Sequence, residues 1–250
     1  MSWNSILGLV ALISLALPVV LMVVLRLAAY RTFPALLISI LFAFTYNLLS
    51  LGYVNVSAGV INNLNFWNNM LDAPLMLLFI TYLSFTPEFA KKIRVGILVY
   101  IVFEIAVIAI AGYNTRAMTI ILGPGLAAVF SLCLWCFIRH TKFTILHRKA
   151  SGRAIISAAL LFAYGCYFLI YLMYYVLRTE YVADTYLIYF LSVILSSLLL
   201  SAGILAERKR VQKLNELMIT RKELSSLYNE QVQRTPFKAV VLPFDKDHWN

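Results

Sequence analysis

Apolar runs of bilayer length recur seven times along the chain, near residues 5–25, 33–54, 66–85, 95–112, 117–138, 154–177 and 185–206. A helical crossing needs about 20 predominantly apolar residues, so each run predicts one transmembrane helix. The third run departs from the pattern. Its first half, Asn65-Phe66-Trp67-Asn68-Asn69-Met70-Leu71-Asp72-Ala73-Pro74, carries three amides, a carboxylate and a proline. Such groups are costly in lipid unless other helices face them. After residue 206 the pattern changes again. Residues 207–234 hold no proline or glycine, and Val211, Leu214, Met218, Leu224 and Leu227 form an interrupted apolar stripe among alternating charges. Strong helix formers at that spacing predict a cytoplasmic amphipathic helix over 207–234. An irregular tail over 235–250 follows, leaving 1–206 as the transmembrane domain.

Composition agrees with that division. With 62% hydrophobic and 13% charged residues, the chain is too apolar for a soluble domain. The expected class is all-α, a polytopic membrane protein of seven helices. The first run has no basic residue ahead of it and contains Pro18, so it is expected to be a retained helix rather than a secretory signal. Alternate loops carry Arg26, Arg31, Lys91, Lys92, Arg94, Arg139, Lys142, Arg148, Lys149 and Arg153, whereas the opposite loops carry Arg116 and Arg178. Ten against two predicts an outside N-terminus and a cytoplasmic C-terminus. The net charge of +10 combines this bias with nine Lys or Arg after residue 207. It points to anionic membrane lipids as partners and not to nucleic acid.

Polar side chains inside the runs fall into stripes. Asn65, Asn68 and Asp72 share one face of the third helix, with Asn69 beside it. Tyr164, Tyr167 and Tyr171 repeat the spacing in the sixth, continued by Tyr174. Ser192 and Ser196 do so in the seventh, with Ser197 and Ser201 nearby. Glu104 lies mid-way along the fourth helix, one turn after Tyr100, and Tyr46 and Asn47 lie in the second. The bland readings are small serines that allow close helix approach, interfacial tyrosines and neutral structural carboxyls. Against them, an intramembrane acid is a functional-site hypothesis by default. The candidate ligand-binding set is therefore Asn65, Asn68, Asn69, Asp72, Glu104, Tyr164, Tyr167, Tyr171, Ser192 and Ser196. Asp72 is expected to take hydrogen bonds from Asn68 and from Tyr167 or Ser196.

Several chemistries find no support. His140, His147 and His248 all fall outside the runs, so an intramembrane bis-histidine haem is excluded. The Cys133-Leu134-Trp135-Cys136 motif has redox spacing but lies in a lipid-crossing helix, and with Cys166 it makes an odd count. No phosphate-binding loop, nucleophile elbow or metal-ligand motif occurs, so neither a catalytic nor a metal site is expected. Gly123-Pro124-Gly125 predicts a kink in the fifth helix.

The third helix, Trp67-Asn68-Asn69-Met70-Leu71-Asp72-Ala73-Pro74-Leu75-Met76-Leu77-Leu78, resembles that of microbial rhodopsins, which carries an aspartate, Trp, two Thr and Pro-Leu-Leu-Leu. Aligning Pro74 with the family proline puts Asn68 at the counterion position, Asp72 at a threonine and Asn65 at the family arginine. Tyr164-x-x-Tyr167-Phe168-x-x-Tyr171 is similar to the Trp-x-x-Tyr-Pro-x-x-Trp segment that walls the retinal. Residues 185–206 contain no lysine, so no covalent retinal Schiff base is expected. The segment from Phe66 to Tyr82 is also similar to the seven-helix sensor region of some bacterial histidine kinases. These resemblances imply a non-enzymatic, rhodopsin-like sensor or receptor in the bacterial inner membrane. It would hold a non-covalent small or lipophilic ligand between helices three, six and seven. With no output domain among the 250 residues, signal transduction would pass through a homodimer or a cytoplasmic partner docked on residues 207–250. An accessory or scaffolding subunit and a proton- or cation-coupled transporter or channel remain the alternatives.

Overall fold

The computed structural model describes residues 3–84, 86–147, 151–177 and 182–234. Arg148, Lys149, Arg178, the tail expected over 235–250 and the side chains of Leu214, Met218 and Leu227 lie outside the described residues. Among the described residues there are seven α-helices and no strand. They are α1 (Trp3–Val24), α2 (Phe33–Ser50), α3 (Ala58–Leu83), α4 (Pro87–Ala111), α5 (Thr115–His147), α6 (Ser151–Tyr171) and α7 (Val182–Arg234). A π-helical turn, Leu172–Val176, ends α6. Six of the seven, all but α3, are long and apolar enough to cross a membrane. The protein is thus an all-helical, polytopic membrane protein.

Helix α3 has 26 residues, which is sufficient length, but Asn62, Asn63, Asn65, Asn68, Asn69 and Asp72 dilute its apolar character. It begins at Ala58, earlier than the apolar run suggested, because Asn62, Asn63 and Asn65 interrupt the apolar pattern of its first turns. Helix α5 likewise runs to His147, well past residue 138, so Arg139 and Lys142 stand on a helix and not in a loop. Local chemistry accounts for other ends. Thr86 Oγ1 accepts from the Phe89 amide at 3.3 Å, and Pro87 opens α4 where its missing N–H costs nothing. Gly112 closes the same helix at φ 76°, a conformation natural to glycine.

Helix α3 packs against α2, α4 and α5, while α5 packs along α6. Its C-terminal half supplies much of the core, including Phe79, Ile80 and Leu83, each fully buried. The T-shaped Phe33–Phe79 and Phe33–Tyr82 pairs, at 5.4 and 5.1 Å, tie α2 to α3. Outward, α4 exposes Leu98, Val99, Val102 and Ile110, an apolar face suited to lipid. Helices α6 and α7 meet through two glycines. A Cβ on Gly152 would stand 2.7 Å from the Glu207 amide nitrogen, and one on Gly203 would stand 2.9 Å from that of Ile156. Hydrogen in place of a side chain lets the backbones approach.

The chain divides into two compact units between Arg208 and Lys209, two residues beyond the expected boundary. The second unit is helical through Arg234, and Leu217, Ile219 and Leu224 are exposed on it.

Candidate functional site

Asp72 occupies the middle of α3, and both its carboxylate oxygens accept hydrogen bonds from neighbouring helices. Ser39 Oγ on α2 donates to Oδ1 at 2.8 Å, and Tyr164 OH on α6 donates to Oδ2 at 2.7 Å. These replace the expected partners Asn68 and Tyr167 or Ser196. Helix periodicity shows which face Asp72 shares but not which neighbouring helix presents a hydroxyl at its height. Asn69 has instead turned back on its own helix, where Nδ2 donates to both the carbonyl and the side-chain oxygen of Asn65 at 2.8 Å.

Asp72 stands on the wall of a cavity of about 780 Å³, bounded by α1, α2, α3, α5, α6 and α7. That size lies within the range of small-molecule pockets. Of the residues singled out from sequence, Asn65, Asn68, Asn69, Asp72, Tyr164, Tyr167, Tyr171 and Ser196 line it. Glu104 and Ser192 do not. Helix α4 contacts α3 and α5, which keeps Glu104 away from the cavity. It is 1% exposed, has Tyr100 within hydrogen-bonding reach, and leaves Oε1 without a partner among the described residues. Ser192 is also buried, and its Oγ has no partner among the described residues.

Tyrosines dominate the cavity wall. The Tyr164 and Tyr167 rings meet edge to face at 5.8 Å, and Tyr167 continues to Tyr189 of α7 at 6.0 Å. Tyr189 and Asn47 of α2 exchange hydrogen bonds at 3.0 and 3.1 Å. Ser39 and Tyr189 were missed in the sequence-derived set. Extending the α7 serine stripe back by seven residues from Ser196 would have reached Tyr189, whereas nothing local marks Ser39. The π-helical turn places Tyr174 and Tyr175 on the wall, where a regular helix would have continued at another angle.

The Gly123-Pro124-Gly125 segment acts as a pair of sockets. Helix α5 passes through Pro124 without interruption, and each glycine leaves room for a tyrosine hydroxyl. Tyr171 OH fills the space beside Gly123 and donates to the Thr119 carbonyl at 3.2 Å. Tyr100 OH fills that beside Gly125 and donates to the Ile121 carbonyl at 3.0 Å.

A second polar cluster lies at the opposite end of α3. Tyr82 OH donates to Glu207 Oε1 at 2.6 Å, Arg153 Nε stands 3.4 Å from the same oxygen, and the Arg153 guanidinium lies 4.7 Å from the Tyr82 ring centroid. Glu207 is 1% exposed, so the residue expected to open a solvent-facing amphipathic helix is instead packed against α3 and α6. His140 is a second departure. It is fully buried on α5, and its Nε2 donates to the Leu83 carbonyl at 2.8 Å, serving the open C-terminal end of α3.

Comparison with protein-family models, curated proteins and solved structures found no match to this chain.

Proposed function

We propose that this chain is a non-enzymatic, rhodopsin-like receptor of the bacterial inner membrane. It would cross the bilayer seven times with its N-terminus outside, bind a small lipophilic ligand in the cavity, and signal through its C-terminal helix to a second copy or a cytoplasmic protein. The supporting observation is the cavity itself. An apolar bundle keeps about 780 Å³ of space, with one carboxylate held by two hydroxyls on its wall. Close packing is the rule in protein interiors, so a space this large needs an occupant or a purpose. Among the described residues that line the cavity, no histidine, cysteine, lysine or second acid accompanies Asp72. Transport through Asp72 and Glu104 is the weaker alternative, because Glu104 does not line the cavity.

Mass spectrometry of small molecules released from the purified protein tests ligand binding. A lipophilic compound should accompany the wild type and be lost from Ala43→Trp, which fills the cavity from α2; equal recovery from both would refute the site. Asp72→Asn should leave the protein folded while changing retention of that compound. Asp72→Leu should cost about 1–3 kcal/mol of stability, since it leaves the Ser39 and Tyr164 hydroxyls without their acceptor. If Asp72→Asn retains the compound as the wild type does, the carboxylate has no part in binding.

Orientation has its own check. The helix α7 region beyond residue 208 should resist protease added to right-side-out vesicles, because the basic ends of the helices belong on the cytoplasmic side. Cleavage from outside would reverse the proposed topology.

A further inference from the structure

The cavity wall is chemically one-sided. Among the described residues that line it, Asp72 is the one acid, and there is no lysine, arginine or histidine. Eight tyrosines also line it, and aromatic faces carry the negative part of the ring quadrupole. Both kinds of group attract positive charge, and the wall offers no full positive charge to an anion.

The arrangement is graded along α3. At a rise of about 1.5 Å per residue, Asn65 lies roughly 10 Å from Asp72 toward one end and Met76 about 6 Å toward the other. The Asn65 side carries amides and tyrosines, and the Met76 side is lined by Leu126, Leu160 and Leu200. Asp72 thus sits where a polar wall gives way to an apolar one. The rings of Tyr164, Tyr167 and Tyr189 run away from it in sequence, spaced 5.8 and 6.0 Å. Ser39 and Tyr164 hold both carboxyl oxygens with neutral hydroxyl donors, so among the described lining residues no positive side chain competes with a cationic ligand for them.

We propose that the ligand is a lipophilic organic cation, a protonated amine or quaternary ammonium, with its positive group between Asp72 and the tyrosine rings and its apolar body toward Met76 and Leu126. A desolvated ammonium in that position gains from both the carboxylate and cation–π attraction, whereas a neutral molecule of equal shape gains from neither. A carboxylate or phosphate ligand would face Asp72 without a compensating base. This assignment rests on the receptor reading above and narrows its ligand to one charge class.

Two photoreactive probes test it on the full chain in lipid nanodiscs. One is an alkyl trimethylammonium bearing a diazirine in its chain, and the other is its neutral tert-butyl isostere. The ammonium probe should label cavity residues of α6 and α7 saturably, at a concentration about tenfold or more below that needed by the neutral probe. Asp72→Asn should abolish most of that difference while leaving labelling by the neutral probe unchanged. Should that variant not fold, Ser39→Ala, which releases one carboxylate oxygen, and the wild-type probe pair still decide the matter. Equal, saturable labelling by both probes would overturn the cation assignment and leave the receptor reading standing. Saturable labelling by neither would overturn both.

Discussion

Gly152→Ala should destabilise the detergent-solubilised protein by about 1–3 kcal/mol, the usual cost of overpacking, and toward the upper part of that range. The added methyl would stand 2.7 Å from the Glu207 amide nitrogen and 2.9 Å from its Cα. Those atoms are backbone, so no rotamer change can make room and α6 must move off α7. Gly203→Ala should behave alike, because its methyl would meet the Ile156 amide at 2.9 Å. Gly96→Ala on α4 is the control. Nothing lies within 4 Å of its added carbon, and alanine's higher helix propensity should make it neutral or stabilising by up to about 1 kcal/mol. Thermal unfolding followed by tryptophan fluorescence separates these outcomes. Equal midpoints for Gly152→Ala and Gly96→Ala would show that the α6–α7 crossing is not close.

Glu207→Ala should cost more, about 3 kcal/mol, the lower bound for removing one partner of a buried ion pair. The lower bound applies because Arg153 keeps 13% of its side chain exposed and can turn toward water, whereas Tyr82 is only 5% exposed and would lose its acceptor. Glu207→Gln preserves an acceptor for Tyr82 and should fall between wild type and Glu207→Ala. A double-mutant cycle of Tyr82→Phe with Glu207→Gln isolates the 2.6 Å hydrogen bond, and its coupling should be about 1.5 kcal/mol or more, as for bonds to charged groups. Zero coupling would mean that the tyrosine and the carboxylate do not interact in solution.

The two predictions concern a site that local sequence pattern concealed. Glu207 follows the last apolar run and precedes Arg208, Lys209 and Arg210, so composition assigns it to a solvated helix. Its burial comes in part from Gly152, 55 positions earlier, which brings α6 close enough for Arg153 to reach it, while Tyr82 reaches it from α3. His140 was hidden in the same way. Its position near basic residues suggests a loop, yet α5 continues past it and the open end of α3 supplies its partner.

The candidate cavity was partly legible. Stripes on α3 and α6 named Asn65, Asn68, Asp72, Tyr164, Tyr167 and Tyr171, since residues three or four apart share a helix face and polar faces seek the interior. A different rule, that an acid inside the membrane marks a site, brought in Glu104, whose helix packs against α3 and α5 and which does not line the cavity. Periodicity orders residues around one helix axis and carries no information about which helix lies opposite.

By itself the sequence determined the all-helical membrane class and the placing of polar stripes on particular helices, because a bilayer demands long apolar helices and hydrogen-bonded helices have a set period. Tertiary structure alone decided that Ser39 and Tyr164 hold Asp72, that Glu104 stands apart, and that Glu207 is interior. Those outcomes depend on contacts between residues 33, 92 and 125 positions apart or more closely on glycine-permitted crossings, and side-chain reach across helices is settled only when backbones are packed.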